Sequence, residues 1–271
     1  MKKFPKKLEE KINFRIEKDA LRSLQNTSKL VDFSSNDYLG FAKNETIFEA
    51  THRYLKTKQI PYNGATGSRL LTGNHALYTS LENTLCAFHQ SESATVFNSG
   101  YDANVGFFSA VPQRGDIILY DEYIQASIRD GIQMSAAKSY KFKHNNLSDL
   151  TDLLTRIKTH IADIYLVTEA VFSMDGDTAN LKAIHAFCKE QGIYLIVDEA
   201  HALGVFGEKG EGLVQELALE KEVFARIITF GKALGCHGAA VLGSDLLKTY
   251  LLNFARSLLY TTGLSPHSIA T

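Results

Sequence analysis

Short apolar runs alternate with amphipathic stretches along most of the chain. The runs are rich in β-branched residues and bounded by polar ones, which is typical of strands buried on both faces. The stretches between them repeat apolar residues at helical spacing. Predicted strands cover residues 94–97, 116–120, 139–143, 164–167, 193–197, 227–230 and 239–242, and predicted helices cover residues 74–88, 102–110, 147–161, 181–191 and 245–258. This alternation predicts an α/β fold with a mostly parallel sheet and helices on both faces.

The two ends of the chain depart from this alternation. Residues 8–24 carry an apolar stripe at helical spacing among charges, and residues 30–33 form a short apolar run. We therefore expect a helical arm and a short strand over residues 1–35, followed by one large domain over residues 36–262. Residues 263–271 begin another helix without a terminating signal.

Four side chains able to do chemistry follow two of the predicted strands. Asp198 and His201 follow one strand, and Thr229 and Lys232 follow the next. Ligands collect beyond the carboxyl ends of parallel strands, so we expect these four side chains to converge on one crevice. A lysine near an acid and an imidazole suits a Schiff base with an aldehyde cofactor, for which pyridoxal 5′-phosphate (PLP) is the obvious candidate. Asp198 would keep the pyridine nitrogen protonated. Taken singly, a strand-end aspartate is often a helix cap and a Gly-Lys pair is often a surface turn.

A second feature is an anion site at residues 98–101. The predicted strand over residues 94–97 leads through a glycine turn into the next predicted helix, whose cap is expected near this turn. Free backbone N–H groups and the helix dipole favour an anion at such a place. We expect Ser99, Gly100 and Tyr101 to bind the 5′-phosphate of PLP. The glycines of a Rossmann or Walker motif are missing.

Composition narrows the class of protein. The 271 residues are 45% hydrophobic and carry a formal net charge of −1, which argues against nucleic acid as the main partner. The three cysteines lie far apart without metal-ligand spacing and are typical of a reduced intracellular protein. No stretch is long and apolar enough for a signal peptide or a membrane span, so we expect a cytoplasmic protein without a membrane partner and without a bound metal.

Three motifs carry a resemblance to a known family. They are Val197-Asp198-Glu199-Ala200-His201, Thr229-Phe230-Gly231-Lys232 and Glu169-Ala170-Val171-Phe172-Ser173-Met174-Asp175-Gly176-Asp177. In this order they resemble the signatures of the α-oxoamine synthases, PLP enzymes of the aspartate-aminotransferase fold, also called fold type I. The resemblance extends from about Lys7 to the last residue. It implies that residues 36–262 are a large PLP-binding domain and that residues 263–271 begin a small carboxy-terminal domain, which is largely missing here.

The resemblance also implies roles for single residues. Lys232 would hold PLP and act as the general base, and His201 and Thr229 would bind the phenolic oxygen and the phosphate. Ser173 would lie beside the cofactor, and Arg22 near the acyl substrate. Thr261 and Thr262 would face the phosphate of a partner subunit, which implies a homodimer with shared active sites. Residues 64–73 would line the dimer interface, where Arg69 meets a phosphate or carboxylate or forms a surface ion pair.

The implied activity is the decarboxylative condensation of an amino acid with an acyl thioester. Residues 34–40 and 64–69 are most similar to the members that join L-alanine to a pimeloyl thioester, carried by coenzyme A or acyl carrier protein, in biotin synthesis. Two alternatives stay open: a member that takes glycine or serine with another acyl chain, and a catalytically impaired fragment or subunit. Gln125 supports the second, because this substrate-facing position is normally histidine in the family. The arginine that grips the substrate carboxylate in the family has no counterpart in this sequence.

Overall fold

The computed structural model describes residues 4–24, 30–157 and 162–271. The chain divides into two compact units, residues 1–35 and residues 36–271. In the first unit, helix α1 covers Lys6–Glu17. It ends earlier than the predicted helix over residues 8–24, because Asp19 adopts a left-handed φ of 50°. A left-handed residue just after the last turn is a common way for a helix to end.

The predicted strand over residues 30–33 is wrong. Leu30, Val31 and Phe33 are exposed, and no strand pairing in the described part of the chain includes them. The Asp32 carboxylate instead accepts hydrogen bonds from the backbone N–H groups of residues 34 and 35, both at 3.0 Å. An aspartate that binds the backbone two or three residues ahead favours a turn over a strand.

In the second unit, seven strands form one mixed sheet in the order β1-β7-β6-β5-β4-β2-β3. Strand β7 is antiparallel to both of its neighbours, and the other neighbouring strands are parallel. The prediction of a mostly parallel sheet is therefore confirmed. The strands are β1 Ser93–Phe97, β2 Ile117–Asp121, β3 Lys138–Phe142, β4 Ile164–Glu169, β5 Tyr194–Asp198, β6 Ala225–Thr229 and β7 Ala239–Gly243.

Helices follow most of the strands. The helices predicted to begin at residues 74, 102, 147, 181 and 245 begin within two residues of those positions. They are α2 Glu45–Thr57, α3 Ala76–His89, α4 Gly100–Ala110, α5 Ala126–Met134, α6 Leu147–Arg156, α7 Leu181–Gln191, α8 Leu213–Glu216, α9 Asp245–Phe254, α10 Arg256–Leu259 and α11 Pro266–Ala270. The predicted helix over residues 147–161 ends at Arg156, and residues 158–161 lie outside the described residues. No described helix is both long and apolar enough to cross a membrane.

Two helix ends differ from the predictions. Asn74, the first residue of the predicted helix over residues 74–88, lies outside α3 and accepts a hydrogen bond from Arg69 Nε at 3.2 Å, and His75 occupies the cap position. The predicted helix over residues 245–258 breaks at Ala255, whose ψ is 97°. This break lets Ala255 enter the core and Ser257 donate a hydrogen bond to the Asp102 carbonyl of α4.

The core lies on both faces of the sheet. Side chains from alternate strand positions, such as Ile118, Val167 and Ile196, pack with α4, α5 and α9 on one face. Their strand neighbours, such as Leu166 and Leu195, pack with α6 and α7 on the other. Both faces of the sheet are therefore covered, and ligands can approach it at the carboxyl ends of the parallel strands.

Candidate active site

Polar side chains end four neighbouring strands at the same edge of the sheet. Asp121, Glu169, Asp198 and Thr229 are the last residues of β2, β4, β5 and β6. These strands are parallel, and Glu169 is the register partner of Asp198. The apolar run before each of them is buried in the sheet, and this places the four polar groups together at one edge.

A cavity of about 280 Å³ opens at this edge. Asp198, Thr229 and Lys232 line it, and His201 contacts it through Lys232. The four residues expected to converge are thus brought together. The other lining residues are Asn36, Gly100, Tyr101, Asn104, Gln125, Ala126, Ser127, Ala200, Ile227, Ile228 and Gly231.

Lys232 is the first link of a hydrogen-bonded chain. Its Nζ lies 2.6 Å from His201 Nε2, and His201 Nδ1 lies 2.6 Å from the hydroxyl of Tyr38. Burial and the charge of Lys232 lower the pKa of His201 to about 4, so the imidazole is neutral at pH 7. A neutral imidazole has one donor and one acceptor, so Nε2 accepts from the Lys232 ammonium and Nδ1 donates to Tyr38.

Burial also lowers the pKa of Lys232, although the charges of Asp198 and Glu169 oppose this shift. A lysine with a lowered pKa supplies more of the neutral amine, which is the nucleophilic and basic form. Lys232 is therefore suited to attack a carbonyl carbon and to accept a proton.

Asp198 is 2% exposed and held by two hydrogen bonds. Asn104 Nδ2 donates to its Oδ2 at 2.9 Å, and the backbone N–H of Ala200 donates to its Oδ1 at 2.9 Å. Asn104 Nδ2 also lies 3.1 Å from Ser127 Oγ, and the buried Asn104 Oδ1 has no hydrogen-bond partner among the described residues. These contacts fix the Asp198 carboxylate against the cavity.

Glu169 lies beside Asp198 and is 1% exposed. Its Oε1 accepts a hydrogen bond from the backbone N–H of Gln125 at 2.6 Å. Burial, followed by the charge of Asp198, raises the pKa of Glu169 above its ordinary range. Glu169 is therefore biased towards its neutral form.

The start of α4 forms the second side of the cavity. Ser99 caps the helix, since its Oγ accepts the backbone N–H of Asp102 at 3.0 Å, and Gly100 and Tyr101 line the cavity. A Cβ at Gly100 would lie 3.3 Å from Thr229 Oγ1, so the glycine permits close approach of α4 to β6. The Tyr101 hydroxyl donates to Asp130 Oδ2 at 2.9 Å.

Thr261 and Thr262 lie beside this same segment. Asn98 Nδ2 donates to Thr261 Oγ1 at 3.2 Å and to the Thr262 carbonyl at 2.7 Å. Two threonines more than 160 positions away are thereby joined to the residue that precedes Ser99.

The other residues predicted to bind ligands differ in their relation to the cavity. Ser173 is exposed in the turn after β4 and does not line the cavity. Gln125 lines the cavity at the start of α5. Arg22 belongs to the first unit, and its role near a substrate stays a prediction. Arg69 forms a buried salt bridge with Glu82 at 2.8 Å and lies over the Tyr78 ring, so the expected surface ion pair or ligand contact is corrected to a buried structural one.

Several site residues had no assigned role in the sequence. Asn104 donates to Asp198, and Glu169 is the register partner of Asp198 on the next strand. Tyr38 reaches His201 across 163 positions of sequence. Asn104 lies one turn into α4, the helix whose start is predicted to bind an anion. This position is the only local signal that the Asn104 side chain lies near the sheet edge. The pairing of Tyr38 with His201 has no local pattern at all.

The donor set fits an aldehyde cofactor that bears a phosphate and a basic ring nitrogen. An amine of lowered pKa, a buried carboxylate and a capped helix start meet at one cavity. Within the described residues, no group of three or more His, Cys, Asp and Glu side chains is arranged to hold a metal ion.

Comparisons with known proteins identify the family of the chain. Residues 28–271 match the aminotransferase class I and II family. An 8-amino-7-oxononanoate synthase of Emericella nidulans is 44% identical over 251 residues, which are 88% of this chain and 61% of the relative. The chain thus spans about three fifths of the length of the curated relatives it matches.

Two solved structures are similar along most of the chain. A serine palmitoyltransferase from S. paucimobilis, with PLP and myriocin bound, superposes with a TM-score of 0.86 at 27% identity, covering 98% of this chain and 69% of that one. An 8-amino-7-oxononanoate synthase of Francisella tularensis superposes with a TM-score of 0.73 at 31% identity, covering 90% and 67%.

Fold and site thus define the class of protein, and the chain belongs to the aminotransferase class I and II family. Within that family it is a member of the α-oxoamine synthases, which confirms the resemblance read from its motifs.

Proposed function

We propose that the protein condenses L-alanine with a pimeloyl thioester in a PLP-dependent reaction that yields 8-amino-7-oxononanoate for biotin synthesis. The observation that carries this proposal is the pairing of Lys232 with a neutral His201 at the same cavity as the buried Asp198. The names of the curated relatives support the substrates. The thioester carrier would be coenzyme A or acyl carrier protein.

Different residues at the cavity would bind different parts of the cofactor. Lys232 would hold PLP covalently through Nζ, and Asp198 would keep its ring nitrogen protonated. The start of α4, with Ser99, Gly100 and Tyr101, would bind the phosphate together with Thr229, and His201 would contact the phenolic oxygen. When bound, PLP would supply an electron sink for the carbanion formed at the α-carbon of the amino acid.

Lys232 would act twice on protons. Its Nζ would take the proton from the α-carbon of L-alanine, a step favoured by the lowered pKa of the lysine. The α-carbon would then bond to the thioester carbonyl carbon, and the C–S bond would break so that the thiolate leaves and takes a proton from solvent. The bond from the α-carbon to the carboxylate would break next, releasing carbon dioxide and leaving its electron pair at the α-carbon. Lys232 would return one proton to the same carbon, so the enzyme is regenerated.

His201 would orient the lysine rather than carry charge. Its neutral state leaves Nε2 free to accept from Lys232, and the bond from Nδ1 to Tyr38 fixes the plane of the ring. Asp198 would contribute its negative charge, which Asn104 and the Ala200 N–H hold in place.

The remaining assignments are proposals that rest on the resemblance. Thr261 and Thr262 would meet the phosphate in a partner subunit's active site, which makes the protein a homodimer. Gln125, which lines the cavity, would face the substrate, and Arg22 the acyl chain, whereas Ser173 lies outside the residues that line the cavity. We also propose that the protein acts in the cytoplasm, which the three free cysteines support.

Two further possibilities remain in the family. The similarity to serine palmitoyltransferase structures supports an enzyme that joins another amino acid to another acyl thioester. Gln125 in place of the usual histidine supports an impaired catalyst.

One experiment separates these functions. The protein, supplied with PLP, is incubated with pimeloyl-coenzyme A and with L-alanine, glycine or L-serine in turn, and products are identified by mass spectrometry. We expect 8-amino-7-oxononanoate with L-alanine and at most traces with the others. A palmitoyl thioester and L-serine form the comparison reaction. Preference for that pair would replace the proposed substrates, and no product from any pair would favour an impaired catalyst.

A further inference from the structure

His144 joins two turns that lie next to the proposed active site. Its Nδ1 lies 2.9 Å from Asp121 Oδ1, and its Nε2 lies 2.9 Å from Asp177 Oδ2. Asp121 ends β2, and Asp177 belongs to the segment after β4. We call residues 121–125 the first turn and residues 172–177 the second turn. His144, which follows β3, is the link between them.

The contacts require both ring nitrogens of His144 to donate. A carboxylate only accepts hydrogen bonds, whereas a neutral imidazole has a single N–H. A neutral His144 would therefore set one lone pair against a carboxylate at 2.9 Å. The cationic ring satisfies both partners with charge-assisted hydrogen bonds, which are the stronger kind.

Two aromatic rings add to the link. The Tyr123 ring stacks on His144 with centroids 4.4 Å apart and an interplanar angle of 24°. The Phe172 ring meets it edge-on at 4.5 Å and 90°. Tyr123 belongs to the first turn and Phe172 to the second, so each turn supplies one carboxylate and one ring to the same imidazole.

The link reaches the cavity through backbone contacts. In the first turn the Asp121 carboxylate accepts the Tyr123 N–H at 2.9 Å, and Gln125 N–H binds Glu169. Gln125, the last residue of that turn, lines the cavity. In the second turn Phe172 N–H binds the Asp177 carbonyl at 2.9 Å, and Ser173 is the residue that follows Phe172.

We propose that His144 is a positioning residue, whose imidazolium fastens the first and second turns and thereby sets Gln125 and Ser173 relative to the cavity. The link itself is independent of the cofactor; only its effect on catalysis rests on the proposed function. Loss of the proton removes one hydrogen bond and both charge-assisted contacts, so the link weakens. Asn145 still binds both carboxylates, through its backbone N–H to Asp121 Oδ2 at 2.9 Å and through its Nδ2 to Asp177 Oδ2 at 2.7 Å.

The charges around His144 favour the proton. Burial lowers the pKa of His144, but hydrogen bonds to Asp121 and Asp177 and their negative charges outweigh it, so the pKa is raised above 6.5. The titratable groups that face the ring are Asp121, Asp177, Tyr123 and Glu122, whose carboxylate accepts the His144 backbone N–H at 3.2 Å. With the folded pKa raised, the stabilisation is complete below about pH 6.5 and is lost as pH rises through the folded value.

The test begins without PLP. Histidine ring resonances are followed by NMR over pH, and amide hydrogen exchange, corrected for intrinsic rate, is measured for residues 121–126 and 172–177. We expect His144 to titrate above pH 6.5 and both turns to exchange roughly tenfold to a hundredfold faster above its pKa, the range for losing one charge-assisted hydrogen bond. The two turns should share one midpoint.

Two variants and one control sharpen the result. Asp177→Asn keeps a polar partner but removes one charge, so the midpoint should move to lower pH. His144→Gln should speed exchange in both turns at every pH. His185→Gln removes a histidine that contacts one carboxylate, Glu222 at 3.5 Å, and should change neither turn. If His144→Gln does not fold, the wild-type protein and Asp177→Asn still test the proposal.

The proposal is overturned if His144 titrates at or below pH 6.5, if the turns exchange independently of its titration, or if Asp177→Asn leaves the midpoint unchanged. In a second step, PLP is added and its visible circular dichroism is followed over the same pH range. If the circular dichroism signal does not change at the pH of the His144 midpoint, His144 does not affect the cavity. Failure of PLP to attach at all would instead count against the proposed function, because the exchange results do not depend on it.

Discussion

At the scale of single residues, the charge of Asp198 is the property most directly tied to the proposed chemistry. Asp198→Asn keeps the shape and the Asn104 contact but cannot hold a proton on a pyridine nitrogen. We expect PLP still to bind, while exchange of the L-alanine α-hydrogen with deuterated water slows by roughly a hundredfold or more, the usual cost of losing a preorganised electrostatic contact. NMR measures the exchange. Asp116→Asn, just before the opposite end of β2, is the control. Near-normal exchange in Asp198→Asn would remove the role given to this residue.

Gln125 stands at a position where the resemblance implies a histidine. Its amide lines the cavity but cannot become cationic, and its stem is more flexible than a ring. We expect Gln125→His to raise the rate of α-hydrogen exchange roughly tenfold with little change in PLP affinity, because better orientation acts on rate. Gln125→Asn, with neither ring nor charge, should bring no gain. A histidine variant that is no faster, or that gains chiefly in PLP binding, would contradict this role.

Glu169 makes stability depend on pH. Burial, then the charge of Asp198, raises its pKa from 4.5 to about 8. A raised folded pKa means that the stabilisation is fully present below about pH 4.5 and is lost as pH rises through about 8. Glu169→Gln keeps an acceptor for the Gln125 N–H and cannot ionise. We expect it to raise the free energy of unfolding by about 1–3 kcal/mol at pH 9 and to change little at pH 5, as urea melts would measure. Equal effects at both pH values would refute the assignment.

Single residues at the site were only partly predictable. Asp198, His201, Thr229 and Lys232 follow buried runs, so their local sequence places them at one sheet edge. The partners of His144 and His201 come from strands and turns far along the chain, and no local pattern encodes them. For Arg69 the sequence predicts either a phosphate or carboxylate contact or a surface ion pair, because its buried partner, Glu82, lies on another element.

At the scale of elements, two glycines of α4 allow PLP binding and protein stability to be tested separately. Gly100 faces Thr229 at the cavity, whereas Gly106 of the same helix faces Ser257 and Phe97 in the core. Gly100→Ala should weaken PLP binding roughly five- to tenfold, about the worth of one hydrogen bond, and leave the melting temperature unchanged or higher. Gly106→Ala should lower the melting temperature, because its Cβ would lie 2.5 Å from Ser257 Oγ. Fluorescence titration with PLP and thermal melts measure the two effects. The same response from both variants would mean that α4 does not bind the phosphate.

Element boundaries show which physical effects the apolar pattern misses. The buried strands were predicted within two residues because burial on both faces demands a continuous run. The helix predicted over residues 8–24 forms but ends early, because Asp19 adopts a left-handed φ. The strand predicted over residues 30–33 is absent, because the Asp32 carboxylate binds backbone N–H groups ahead of it. The apolar pattern contains neither effect. The break at Ala255 follows from packing against α4, which only the folded chain reveals.

At the scale of the whole molecule, the mixed sheet explains why one edge carries the chemistry. The parallel strands β2 and β4–β6 end together, and β1 runs the same way because β7 is antiparallel to both β1 and β6. The loop after β1, which begins α4, therefore lies on the edge that carries Asp198 and Lys232. The fold class followed from the alternation of strands and helices, while the strand order, with β7 inserted between β1 and β6, did not.

The central claim is that Lys232 holds the cofactor, and one measurement tests it directly. The protein is mixed with PLP, its visible spectrum is recorded, and borohydride reduction followed by peptide mapping locates the labelled lysine. We predict one label, on Lys232, and none in Lys232→Ala, since the lowered pKa and the bond to His201 set this amine apart. A label on another lysine, or an unchanged label in Lys232→Ala, would contradict the account.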